Sequence, residues 1–206
     1  GNAPMGMNRQ RIISLLGKLC LLVLSLAVAW GIAEVVVYYR CRDWLALFPR
    51  YVTDATYGEF RIRRNIPNAH YVHTSLDGQW EFRINSQGFR DDRTFAIAKP
   101  VGELRVLVLG DSFTIGYEVQ QDETYSAVLE RGLLSRGIKA EVINAGVSGF
   151  GNAEELVFLE QEGLKYQPDV VIVGFFANDF DDNVRSDLYR LDGNGELQLQ
   201  NKVYLP

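Results

Sequence analysis

Residues 105–116 read RVLVLGDSFTIG. Val106, Leu107, Val108 and Leu109, with Leu104 just ahead, make a nearly unbroken apolar run that closes at Gly110. A strand with one wet face would alternate, so this run fits a strand buried on both faces of a parallel sheet. Beyond Asp111 and Ser112 the pattern changes, and residues 124–136 read as a helix closed by Gly137. Ser112 therefore stands at the carboxyl end of a central strand, where open α/β sheets bind their ligands. A hydroxyl in that position is a candidate nucleophile.

Working outward, strand, helix and strand continue to alternate. A second strand is expected over Ala140–Asn144, then a helix over 153–166 with Leu156, Phe158, Leu159 and Leu164 on its apolar side, then a third strand over 170–176. This order implies a parallel sheet with right-handed crossovers. The pattern 188–199, centred on Asp192-Gly-Asn-Gly195, predicts a β-hairpin. The third strand, VVIVGFF, is apolar on both faces and leaves a long hydrophobic edge unless that hairpin or another chain covers it.

Ahead of the sheet the chain has a different character. Gly1–Gly6 reads as a cloning remnant, and 1–18 as that remnant plus a basic N-terminus with Arg9, Arg11 and Lys18. Residues 19–39 are apolar apart from Ser25 and Glu34, and about 20 helical residues span a bilayer core. A membrane anchor is expected; a cleaved signal peptide ending at Ala27-Val28-Ala29 and a buried soluble helix are the alternatives. The first two export the rest of the chain. Residues 40–98, rich in Arg, aromatics and turn residues, predict a small β-rich collar that includes a strand at 80–84 and a turn at 85–88. The alternating α/β domain is expected over 99–206.

Charge is unevenly placed. Residues 1–100 carry thirteen basic and eight acidic side chains, whereas 101–206 carry eight basic and eighteen acidic ones. An acidic half around the candidate site argues against nucleic acid as a partner. Cys20 and Cys41 are too far apart along a helix to pair, and no metal-ligand spacing is present. His70 and His73, three apart, lack a spaced Cys or carboxylate partner and read as structural or surface residues.

Three expected strand ends carry glycine or polar residues: Gly110-Asp111-Ser112, the segment NAGVSG ending at Gly149, and Asn178-Asp179. On one rim of a parallel sheet they bring together a hydroxyl, a main-chain N–H unshielded by a Cβ and a carboxamide, the inventory for acyl transfer. The Ser112 N–H adds a third oxyanion donor. Singly, Ser112 reads equally as a helix cap, Gly149 as a loop glycine and Asn178-Asp179 as another cap. A nucleotide site is disfavoured, since GDSFTIG has neither the dinucleotide fingerprint nor a P-loop Lys.

These three blocks, in this order, resemble the SGNH (GDSL) hydrolase family over roughly residues 100–180, with Gly146 a weaker alternative to Gly149. The run NSQGFR at 85–90 and the apolar segment before it resemble membrane-tethered bacterial members. The resemblance implies a flavodoxin-like three-layer α/β/α fold, incomplete here at the C-terminus, a serine esterase or acyltransferase mechanism, and no cofactor. Ser112, Gly149 and Asn178 are the implied site residues. Acyl esters, of small molecules or of envelope or extracellular polysaccharide, are the implied substrates. A polysaccharide O-acyltransferase and a non-catalytic envelope protein with a decayed site are the alternatives. The family's general base, a His in an Asp-x-x-His block, has no counterpart after His73. The chain therefore reads as part of a longer enzyme, with little hydrolysis expected of these residues alone.

Overall fold

The structure is a computed structural model that describes residues 9–45, 51–75 and 77–204. The suggested remnant at 1–6 lies outside them. The chain divides into two compact units, Gly1–Leu47 and Phe48–Pro206. The first contains helix α1, Arg9–Leu45. Its stretch Gln10–Arg40 has none of its side chains buried and is long and apolar enough to cross a membrane. Cys20 is exposed on it, and 21 residues of helix rise separate it from Cys41, about 31 Å.

The second unit is organised by strand β5, Leu104–Gly110. It lies at the centre of a three-stranded parallel sheet, with β6 (Ala140–Asn144) on one side and β7 (Val170–Gly174) on the other. Val106 faces Val142 across one ladder and Val170 across the other. First strand central and second and third outside it is the start of the flavodoxin-like order. Residues 105–110 are buried throughout.

The period of two in β5 splits its side chains between two layers. Val106 and Val108 join Val142 under Leu129 and Leu133 of helix α3, Tyr125–Ser135. Leu107 and Leu109 join Ile143 beneath Val157 and Phe158 of helix α4, Asn152–Gln161. Helices thus cover both faces, giving three α/β/α layers. The single helix expected over 153–166 breaks at Glu162 and continues as a 3-10 turn, Gly163–Tyr166. Gly163 is pressed onto the sheet: a Cβ there would come within 2.8 Å of Leu107 Cδ2. The break turns Leu164 out to solvent, 54% exposed, and Tyr166 into the core.

The third strand ends at Gly174, two residues earlier than expected. Val173, Phe175 and Phe176 are exposed. The hairpin that follows, β8 (Tyr189–Leu191) with β9 (Leu197–Leu199), forms its own two-stranded sheet and does not extend β7.

Two further hairpins precede β5: β1 (Val52–Tyr57) with β2 (Phe60–Asn65), and β3 (His70–Ser75) with β4 (Gly78–Arg83). Ile62, Phe89 and Phe95 share one apolar cluster with Leu107 and Leu109, so residues on both sides of position 99 build the same core. Arg63 of β2 grips Glu154 of α4 with two parallel hydrogen bonds, Nε to Oε1 at 2.9 Å and a second guanidinium nitrogen to Oε2 at 2.7 Å. Both side chains are buried. Burial pushes the Glu154 carboxyl up, against the pull of Arg63. Removing one partner of such a pair strands a buried charge. We expect Arg63→Met to cost about 3–5 kcal/mol in urea unfolding. Leu107→Ala, which opens a cavity in the centre of the sheet, is expected to cost about 2–5 kcal/mol by the same measurement.

Candidate active site

The end of β5 runs into a short helix, α2, Ser112–Ile115. Asp111, not Ser112, caps it: Asp111 Oδ1 accepts the Phe113 N–H at 2.8 Å. Ser112 is the first helical residue and half-buried, and no acceptor or donor for its hydroxyl is found among the described residues. The turn is tight. Gly110 has φ 154°, and a Cβ there would collide with Thr114 Oγ1. Thr114 Oγ1 in turn lies 2.9 Å from the Tyr125 hydroxyl.

The loop after β6 runs on alongside β5. Ala145 N–H donates to Val108 O at 2.9 Å and Val147 N–H to Gly110 O at 3.0 Å. Phe150 N–H then closes a turn onto Val147 O, with Gly149 in its third position at φ 80°, a conformation that favours glycine. No acceptor for the Gly149 N–H is found among the described residues. Gly146 serves a different purpose. Its N–H is taken by Asn144 Oδ1, and a Cβ there would come within 2.4 Å of Ile115 N, so its smallness lets α2 lie against the loop.

Asn178 precedes helix α5, Asp179–Ser186, and its side chain makes no capping bond to that helix. Its Nδ2 reaches across to Asp111 Oδ2 at 3.1 Å and to Asp182 Oδ2 at 2.8 Å. Two carboxylates on one side fix the amide's orientation and leave Oδ1 buried, with no partner among the described residues. Thus the segments bearing Gly149 and Asn178 are each tied to β5 within two residues of Ser112. The helix-cap explanations for Ser112 and Asn178 fail, while the turn does require glycine at 149.

An acidic neighbourhood missed in the sequence lies under the site. Glu155 and Asp179 are 3% and 0% exposed. Glu155 Oε2 accepts from Asn152 Nδ2 and Asp179 Oδ2 from the Phe176 N–H; the other oxygen of each is buried with no hydrogen bond of normal geometry among the described residues. Burial pushes Glu155 up to about 7, with the charges of Asp179 and Asp111 adding to the rise. Burial raises Asp179 as well.

The two histidines stand apart from each other. Three residues of strand put them on opposite faces. His70 is exposed and bonded to Glu81. His73 is fully buried among Trp80, Phe82 and Tyr117, with Glu118 Oε1 3.8 Å from its Nε2.

The raised Glu155 carboxyl has a signed consequence. Its folded value of about 7 exceeds the ordinary 4.5. The stability it contributes is therefore whole below about pH 4.5 and is lost as pH rises through about 7. We expect Glu155→Gln to be more stable than the wild type by about 3 kcal/mol at about pH 8, with the two converging in acid. Denaturant curves across that range read the difference, and one independent of pH would contradict the assignment.

Known proteins resemble part of this chain. Residues 108–200 match the model of the GDSL-like lipase/acylhydrolase family. An arylesterase of Vibrio mimicus is 35% identical over 75 residues, which cover 36% of this chain and 38% of that protein. The crystal structure of AlinE4, described as an SGNH-hydrolase family esterase, is similar over 39% of this chain and 44% of its own, at 38% identity and a TM-score of 0.35. The chain thus spans about two-fifths of the length of these relatives. Residues 108–200, which carry Ser112, Gly149 and Asn178, are thus similar to the GDSL-like lipase/acylhydrolase family.

Proposed function

We propose that this protein is a serine esterase or deacylase that cleaves acyl esters. The observation that carries the reading is the pair of ties at the end of β5, Asn178 to Asp111 and Val147 to Gly110. They support bringing the three blocks, each unremarkable alone, to a Ser112 hydroxyl that has no partner among the described residues.

In this reading Ser112 Oγ attacks the acyl carbon, its proton passes to a base, and the carbonyl oxygen becomes an oxyanion. The N–H groups of Gly149 and Ser112 and the Asn178 carboxamide stabilise that oxyanion, and collapse expels the alcohol. Water then attacks the acyl-serine, the ester bond to Oγ breaks, the carboxylic acid leaves and a proton returns to Ser112 Oγ. The Asn178 donors are engaged with two carboxylates at rest, so oxyanion binding draws one of them away from Asp182 or Asp111. The base is not assigned to any of these residues, since no histidine follows His73.

The apolar helix α1 supports a tethered enzyme whose body is exported, with acyl esters of envelope or extracellular polysaccharide as the substrate. Transfer of the acyl group to a sugar hydroxyl in place of water is distinguished by product analysis with a sugar acceptor.

A fluorophosphonate probe on the full protein is expected to label Ser112 and to fail on Ser112→Ala. Undiminished labelling of that variant would overturn the nucleophile. Asn178→Ala is expected to lower kcat by about 10²–10³ with KM little changed, read by ester hydrolysis.

A further inference from the structure

The run NSQGFR, residues 85–90, takes no part in the chemistry above, yet it is built as a brace. Asn85 Oδ1 accepts the N–H groups of Gln87 and Phe89, and its Nδ2 donates to Arg93 O. The Gln87 amide pairs with both the N–H and the C=O of Phe95. Phe89 enters the core.

Arg90 leaves this brace 3% exposed. Its guanidinium donates to four main-chain carbonyls: Ile115 at 2.7 Å, Gly116, Val119 at 2.7 Å and Glu81 at 3.2 Å. Its Cζ lies 3.8 Å from the centre of the Phe82 ring. No ion pair of Arg90 is found among the described residues, and its Nε has no acceptor. Burial pulls it down to about 10.

A buried guanidinium without a carboxylate is expensive, and an apolar side chain would fill the same space at less cost. Its carbonyls are what it gains. Those of Ile115 and Gly116 belong to the open end of α2, where the helix's own hydrogen bonds run out. The loop beyond is an unfavourable shape. Gly116 at φ 85° is left-handed, and so is Glu118 at φ 57°, a residue with a Cβ. A Cβ on Gly116 would come within 2.9 Å of the guanidinium. A second fastening comes from Asn144, whose Nδ2 donates to Thr114 O and whose C=O receives the Arg90 N–H.

We propose that Arg90 is a positioning residue for the Ser112 hydroxyl, holding the carbonyls behind α2 so that the turn carrying Ser112 stays in one orientation. The proposal rests on the reading of Ser112 as nucleophile. Arg90→Met keeps the stem and removes the donors; Arg90→Lys keeps the stem and the charge and reaches fewer carbonyls. In the full protein, Arg90→Met is expected to speed amide hydrogen exchange at residues 113–119 about tenfold, with residues 153–161 of α4 unchanged. Ester kcat and the rate of fluorophosphonate labelling are expected to fall about 10- to 100-fold at nearly constant KM, with Arg90→Lys recovering part of both. Unchanged exchange at 113–119, or a loosened turn with kcat unaffected, would overturn the proposal. Hydrogen exchange reads the turn whether or not Ser112 reacts. A loosened turn in a protein whose wild type takes no label would therefore sink the nucleophile reading and the proposal's catalytic half with it. Should Arg90→Met not fold, Arg90→Lys carries the same comparison.

Discussion

Strand β5 has no side that faces water. Val106 and Val108 need α3 above them, Leu107 and Leu109 need α4 below, and both edges need a neighbour. A strand with these demands exists only inside an assembled sheet. Everything chemically distinctive follows at the point where it stops. Gly110 allows the chain to turn, Asp111 caps the next helix, and Ser112 starts that helix with a hydroxyl that has no partner among the described residues. The other two blocks are located by the same strand, one through a continued ladder to Gly110 and the other through a carboxylate on Asp111.

Buried arginines join separate elements of this unit. Arg63 binds Glu154 across the interface between β2 and α4. Arg105, fully buried, takes Glu141 together with the carbonyls of Ala96 and Tyr166. Arg90 takes carbonyls alone. Each guanidinium has a planar fork that can serve several acceptors from one buried position. Apolar packing would hold these elements as firmly, but hydrogen-bond geometry also fixes the angle at which they meet.

The order of strands and the position of the polar residues at their ends were legible because both depend on short-range patterning. A continuous apolar run means a covered strand, and a glycine or hydroxyl after it means a rim. Buried acids were not legible. Glu154 and Glu155 sit in the first turn of α4, where acidic residues normally face water and favour the helix dipole. What buries Glu154 is an arginine 91 positions earlier, and nothing in the local sequence announces it. The break at Glu162 was hidden for a similar reason: Gly163 is small because Leu107 lies beneath it. Leu164 was misassigned once the helical period no longer applied. For Arg90 the only local sign was its place at the end of a turn-rich run, which indicates a fixed loop without saying what the loop holds.

The brace at 85–90 lies upstream of the turn it supports. During synthesis the chain emerges from its N-terminal side, so β3, β4 and residues 85–90 leave the ribosome before β5 and α2. The side chains of Asn85 and Gln87 find all their hydrogen-bond partners among the described residues within eight positions, apart from Tyr166. The guanidinium of Arg90 can therefore be standing ready when residues 115–119 arrive, and the awkward left-handed backbone at Glu118 meets its support as soon as it is made. Moving the same brace downstream of Ser112, as a circular permutation would, reverses that order and leaves the nascent turn waiting for it.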